Sequence, residues 1–281
     1  MDTLRIENQS FDAERALYHL QNAQVDNCVF EGPADGESPL KEARNVEVSN
    51  CRFALRYPMW HAQGFTMEDC SMNEKARAAI WYASEGTMKN CQLVCPKAMR
   101  ECNDVTLLNC NVESQEFGWK SSYIQLDDSA VSGEYSFMDS RYLKLKNVNI
   151  KGKYAFQYVQ DLVIEDSVLD TKDAFWHSKN VIVKNSTIKG EYLGWYSEGL
   201  TLINCKIVGT QPLCYCEGLR LMNCTMEGAD LAFEYSELEA DVIGHIDSIK
   251  NPRSGSITAD SVGQQIFDNA VMDCFGEVYI R

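Results

Sequence analysis

The sequence predicts an all-β chain, a right-handed parallel β-helix built as a single-stranded solenoid of about 11 coils with capped ends. Three observations carry that expectation: a 19-residue spacing, an Asn or Asp at a fixed place within it, and apolar alternation on both sides of that place. One slot reads Cys110, Ser129, Val148, Ser167, Ser186, Cys205 and Cys224, each 19 positions after the last. Before it stand Asn109, Asp128, Asn147, Asp166, Asn185, Asn204 and Asn223.

Each copy runs apolar, x, apolar, x, Asn/Asp, small, x, apolar, as in Leu162, Ile164, Asp166, Ser167 and Leu169. Alternation every second residue reads as two short strands, each with one buried face. The Asn/Asp marks a bend, because these side chains tolerate the left-handed backbone. Coils about 4.8 Å apart would let each amide reach the next. Gly133, Gly152, Gly190, Gly209 and Gly228 mark a second turn, and stretches such as Ala174-Phe175-Trp176 suggest a third strand. A left-handed β-helix prefers multiples of six, which 19 is not. A leucine-rich repeat places its Asn three residues after the second Leu, whereas here it follows by two.

A single domain spanning 1–281 is expected. Residues 1–23 would be the N-terminal cap and first coil, hiding strand edges that otherwise recruit another chain. Regular coils follow over 24–237, with a four-residue excursion within 31–36 and two extra residues between Cys70 and Cys91. Residues 238–281 read as irregular last coils and a C-terminal lid.

With 281 residues and 45% apolar content the chain can fill one continuous core. Twenty-six basic against 41 acidic residues give a net charge of −15, which argues against nucleic acid and anionic membrane as partners. Anionic polysaccharide is likewise disfavoured unless metal ions mediate. The start, Met1-Asp-Thr-Leu-Arg5, lacks a basic-then-apolar leader, and no apolar run reaches membrane length. Cys28, Cys51, Cys70, Cys91, Cys110, Cys205 and Cys224 occupy the slot that also takes Ser and Val, so smallness is read as its requirement. Such thiols fit a reduced, cytoplasmic protein. Cys95, Cys102, Cys214, Cys216 and Cys274 include no C-x-x-C pair, so no zinc, and no other cofactor, is expected.

The strings Glu14-Arg15-Ala16-Leu17-Tyr18, Gly36-Glu37-Ser38-Pro39-Leu40-Lys41-Glu42 and Lys250-Asn251-Pro252 through Gly255-x-Ile257 resemble the signatures of an uncharacterised bacterial family. That family, a domain of unknown function, is placed in the pectin lyase-like β-helix superfamily. The resemblance spans essentially the whole chain. It implies the β-helix independently of the periodicity and brings no catalytic residues with it.

Chemistry is sought ten positions after the small slot. With the insertions removed, that column reads His19, Glu42, His61, Tyr82, Glu101, Lys120, Asp139, Tyr158, His177, Tyr196, Tyr215 and Glu234. The ninth column holds Trp60, Trp81, Trp119, Trp176 and Trp195, and also Lys41 and Arg100. The eleventh is small, from Ala62 to Ser197. Burying so many charges without partners would cost several kcal/mol each, so the tenth column is taken as outward. Simple alternation then puts the Trp row inside and Phe137, Phe156 and Phe175 of the eighth column outside.

An outward stripe of His61, Tyr82, Glu101, Lys120, Asp139, Tyr158, His177 and Tyr196 suggests a saccharide groove; the plainer reading is a solvated face steadied by ring stacking and opposite charges. His19, Glu42 and His61, on consecutive coils, could form an acid–base or metal cluster, though a surface ladder explains them more simply. Glu101, Lys120 and Asp139 read as a salt-bridge ladder before they read as a glycosidase set. Motifs of β-helix polygalacturonases are missing: only Asp127-Asp128 appears, and Gly244-His245 is followed by Ile246. The leading expectation is therefore a non-catalytic binding or scaffold β-helix with a saccharide along the stripe. The competing class is a carbohydrate-active lyase, isomerase or hydrolase, and a rigid coil stack is also compatible with a homo-oligomer.

Overall fold

The computed structural model describes residues 4–281, so residues 1–3 of the expected cap lie outside the described residues. The chain forms two compact units, Met1–Leu143 and Lys144–Arg281, each a parallel β-helix. The only helical turn among the described residues is the 3-10 turn Glu74–Ala76.

Alternating apolar residues build the core of each unit. In the first, strands Gln21–Asp26, Arg44–Ser49, Gln63–Glu68, Ser84–Lys89, Asn103–Leu108 and Ser122–Asp127 stack in parallel. Their in-register row Val25, Val48, Met67, Met88, Leu107, Leu126 is buried. In the second, Ile164, Val183, Leu202 and Leu221 continue such a row. Phenylalanines line the inside, with Phe30 and Phe53 stacked at 4.6 Å and Phe156 and Phe175 at 5.2 Å.

The two units together hold about 15 turns, against the about 11 expected. The excess has a plain origin. Strand Leu4–Glu7 already pairs with the next coil, and the irregular 238–281 region supplies strands Glu237–Lys250, Ser254–Ile266 and Glu277–Ile280 in parallel succession. The stretch expected to act as a lid thus carries a further strand, beside a loop that exposes Val271 and Phe275.

The bend ladder forms as the repeat predicts. Asn109, Asn90 and Asn27 in the first unit, and Asn185, Asn204 and Asn223 in the second, sit at φ between 49° and 57°. Their amides link coil to coil: Asn109 Nδ2 donates to Asn90 Oδ1 at 2.8 Å, and Asn223 Nδ2 to Asn204 Oδ1 at 2.8 Å. A second amide ladder, unanticipated, lies at the start of the first-side strands. There Asn45 donates to Asn22 and Asn180 to Asp161, each at 3.2 Å. Gly133 and Gly190 are needed for close approach: a Cβ would stand 1.7 Å from Ser114 O and 2.3 Å from Thr171 O.

The small slot does more than save space. At several corners the slot's N–H finds its acceptor in the next coil's slot side chain. Cys110 N–H donates to Ser129 Oγ at 2.9 Å, Val148 N–H to Ser167 Oγ at 3.0 Å, and Ser167 N–H to Ser186 Oγ at 3.0 Å. Each hydroxyl or thiol passes its own hydrogen to the carbonyl two residues back, as Ser167 Oγ does to Glu165 O at 2.6 Å and Cys51 Sγ to Ser49 O at 3.0 Å. The eleventh column repeats the device, with Cys102 N–H on Ser121 Oγ and Ser121 N–H on Ser140 Oγ. Smallness alone is therefore an incomplete account of the slot. All cysteines are free thiols, buried except for Cys274.

The third side differs most from expectation. Among the described residues only Ile80–Trp81, Met99–Arg100 and Phe117–Trp119, all in the first unit, are strands there. Elsewhere alternate residues turn left-handed: Tyr135, Phe137 and Asp139 in one coil, Asp173, Phe175 and His177 in another. Left-handed residues break the two-residue alternation of an extended strand. Phe137, Phe156 and Phe175, expected outside, are consequently fully buried. The Trp row, expected inside, is half-buried at the rim.

Removing a relay hydroxyl should be costly out of proportion to its size. Ser167→Ala strands the buried Val148 N–H and should lower stability by about 1–3 kcal/mol in urea denaturation, whereas Ser167→Cys, which keeps donor and acceptor, should cost clearly less.

Candidate functional site

The tenth column faces outward, as charge burial required. From His19 to Tyr215 its residues stand at φ near 50–60°, Glu234 being the exception, and Tyr82, Tyr158 and Tyr196 are 37%, 47% and 43% exposed. In the second unit the column is a continuous stack. Tyr158 and His177 are 5.0 Å apart with planes 9° apart, His177 and Tyr196 5.0 Å and 7°, Tyr196 and Tyr215 4.8 Å and 15°. Each inner ring has both faces covered by neighbours, so solvent meets ring edges. Sugar stacking uses ring faces, and this ladder keeps them for itself.

In the first unit the column breaks into local pairs. His61 stacks on Tyr82 at 4.8 Å, and its backbone carbonyl accepts from Arg44 Nη1 at 2.6 Å. Glu42 is drawn instead to Tyr18, whose hydroxyl donates to its Oε2 at 2.8 Å, with His19 4.0 Å away. The trio His19, Glu42 and His61 thus does not converge as a unit, and among the described residues no group of three His, Cys, Asp or Glu side chains is placed to hold a metal. The expected ladder of Glu101, Lys120 and Asp139 does not form either. The Glu101 carboxylate is taken by the adjacent Arg100 at 3.4 Å, and no ion pair joins it to Lys120 among the described residues.

Arg100 and Lys41 belong in the Trp column because they stack on it. Lys41 Nζ lies 5.9 Å from the Trp60 ring, and the Arg100 guanidinium is 5.1 Å from Trp81 and 5.7 Å from Trp119. Trp60 and Trp81 stack at 5.6 Å, Trp176 and Trp195 at 5.5 Å. Every indole N–H is anchored to a backbone carbonyl, Trp60 to Ala78 at 2.6 Å and Trp176 to Tyr192 at 2.6 Å among them. The row is rigid.

Concavity arises where the repeat is interrupted. The loop 73–77, carrying the Glu74–Ala76 turn, rises beside the Trp60–Trp81 wall and encloses a cleft of about 430 Å³. Tyr57, Trp60, Ala78, Trp81 and Pro96 give it an apolar lining; Glu74, Arg77 and Lys97 supply charge. On the loop's other side lies a polar concavity of about 510 Å³, lined by Glu31, Asp35, Arg56, Lys75 and again Glu74 and Arg77. Trp60 and Trp81 apart, these residues escaped the column reading, which sees only what recurs. The available signal was the misfit itself: 21 residues between Cys70 and Cys91, and 23 between Cys28 and Cys51.

Displaced carboxyls do not assemble a proton-transfer pair here. Hydrogen bonds from Ser49 and Asn50 hold Asp26 below its ordinary range, and Lys206 does the same to Glu227. Burial lifts Asp173, which stands in the other unit.

Comparison with known proteins adds the following. Residues 4–278 match the family described as Protein of unknown function (DUF3737). No curated protein matches the sequence. Similar solved structures include PfbA, a surface adhesin of Streptococcus pneumoniae, at 8% identity and TM-score 0.47, covering 92% of this chain and 79% of that one. Endo-xylogalacturonan hydrolase from Aspergillus tubingensis gives 8%, 0.35, 83% and 87%. The A-module of the Azotobacter vinelandii mannuronan C-5 epimerase AlgE4 gives 11%, 0.33, 99% and 90%. At such scores the likeness assigns no role.

The Tyr18 hydrogen bond is the main cause of a depressed Glu42, with Lys41, His19 and His61 adding to it. The tie is therefore fully present above the ordinary carboxylate pKa of about 4.3 and is lost as pH falls through the lower folded value. Tyr18→Phe should raise the Glu42 pKa toward that ordinary value in a carbon-detected NMR titration; an unmoved pKa would mean that the neighbouring cations, not the phenol, set it.

Proposed function

We propose, for a chain that belongs to the family described as Protein of unknown function (DUF3737), a role as a non-catalytic binding β-helix whose ligand is a glycan. One observation supports this above the others: the cleft that joins Tyr57 and the Trp60–Trp81 wall to the charged tips of Glu74, Arg77 and Lys97. A sugar presents apolar C–H surface along its ring and hydroxyls at its edge, and such a lining answers both. A volume of about 430 Å³ falls within the ~300–1,000 Å³ common for small-molecule sites. Anchored indoles and a coil-stacked floor also lower the ordering cost of binding.

The cleft is preferred to the exposed stripe because it is concave. Ring faces are occupied in both places, by neighbouring rings along Tyr158, His177, Tyr196 and Tyr215 and by each other, Lys41 and Arg100 at Trp60 and Trp81, so the cleft offers indole edges and the Tyr57 ring within a hollow where the stripe offers edges on an open face. A non-catalytic role is preferred to a lyase, isomerase or hydrolase because the carboxyls with displaced pKa lie apart from the cleft or are held as anions. The stack of coils then acts as scaffold, holding the 73–77 loop at a fixed height over the Trp wall.

Glycan-array binding and titration calorimetry test the reading with three proteins. Wild type should bind a defined set of saccharides without releasing new reducing or unsaturated ends. Tyr57→Ala should weaken the best of them about tenfold or more, roughly 1.4 kcal/mol or above. The double variant Tyr158→Ala/His177→Ala should bind as wild type. Loss of binding in the double variant with retention in Tyr57→Ala would move the site to the ladder, and absence of binding in all three would remove the glycan reading.

A further inference from the structure

Arg77 stands apart from the other cations around the loop. Arg56 pairs with Asp35 at 3.7 Å and Glu37 at 3.6 Å, Lys75 with Glu31 at 3.7 Å, and Lys97 with Glu116 at 3.2 Å. Arg77 lines both concavities and is exposed, yet among the described residues its guanidinium has no ion pair, side-chain hydrogen bond or ring contact. Glu74, three residues earlier and lining the same two spaces, is left unpaired as well. Two opposite charges in reach of one cleft thus both remain available to a third party.

The backbone makes the choice of arginine more pointed. Arg77 closes the Glu74–Ala76 turn at φ 53° and ψ −104°, well away from the ordinary left-handed basin near φ +57°, ψ +47°. A side chain in such a sparsely populated region is strained, and glycine would avoid most of that strain. The conformation is held from both ends: the Arg77 N–H donates to Glu74 O and the Arg77 carbonyl accepts from Lys97 N–H, each at 3.3 Å. A strained position is occupied by the one cation of the site that stabilises nothing nearby.

We propose that Arg77 determines the specificity of the cleft by taking an anionic group, a carboxylate or a phosphate, carried on the bound sugar. The proposal rests on the glycan reading above and narrows it. A planar guanidinium with free N–H donors suits a two-oxygen anion, and Glu74 is left to accept from sugar hydroxyls. The site works locally against a chain of net charge −15, so neutral sugars and polysaccharides with a charge on every ring should both be poorer ligands than a sugar with one anionic group.

The experiment follows indole N–H resonances of the full chain by NMR during titration with glucose, glucuronate and glucose 6-phosphate. Wild type should prefer at least one of the charged sugars to glucose by about tenfold, and the stronger of the two identifies the anion. Arg77→Gly should abolish that preference, bringing the ratio to about one, while its melting temperature stays equal or rises because the strain is relieved. Arg77→Lys should keep a reduced preference. Equal binding of all three sugars by wild type, or an unchanged preference in Arg77→Gly, overturns the role of Arg77 and leaves the glycan reading standing. Absence of any shift with all three, together with an empty glycan array, removes both.

Discussion

The whole architecture depends on one constraint: the chain must bend at its corners and still pair the backbone N–H groups that lie between coils. Parallel coils satisfy most of their polar backbone through the neighbour above and below, but a bend takes some groups out of that pattern. The molecule answers with left-handed Asn and Asp, whose side chains hydrogen-bond along the stack, Asn amides donating to Asn carbonyls or Asp carboxylates, and with a hydroxyl or thiol that accepts an orphaned N–H. Core packing follows from this. Val25, Val48, Met67 and Met88 lie in one row because the corners fix the register.

Much of this was legible in the sequence because it recurs. The Asn before Cys110, Cys205 and Cys224 announces the bend, and the exclusion of charge from the core places His177 and Tyr196 outside. What alternation could not anticipate is the fate of Phe137, Phe156 and Phe175. A period of two holds only while the backbone stays extended, and left-handed residues at the eighth and tenth positions of a coil rotate side chains away from it. The presence of Lys41 and Arg100 in the tryptophan column is explained by the same change. Once the row sits at a rim, a cation can lie on an indole face with its head in water.

The cleft illustrates the opposite limit. A repeat has no reason to make a hollow, since identical coils give a flat face. The extra residues near Glu74 and the excursion carrying Glu31 and Asp35 break the flatness in one neighbourhood, and two concavities lie there. Columns of equivalent positions therefore describe how the fold is held together, while departures from the column show where its surface stops being flat.

The buried thiols give the molecule an internal record of its own breathing. Cys28, Cys51, Cys70, Cys91, Cys95, Cys102 and Cys110 lie in one unit and Cys205, Cys214, Cys216 and Cys224 in the other, all shielded, with Cys274 alone partly open. An alkylating reagent meets each of them only when its coil parts from the next. The order in which they are tagged is then a map of which turns open first, written by the protein without any label having been introduced.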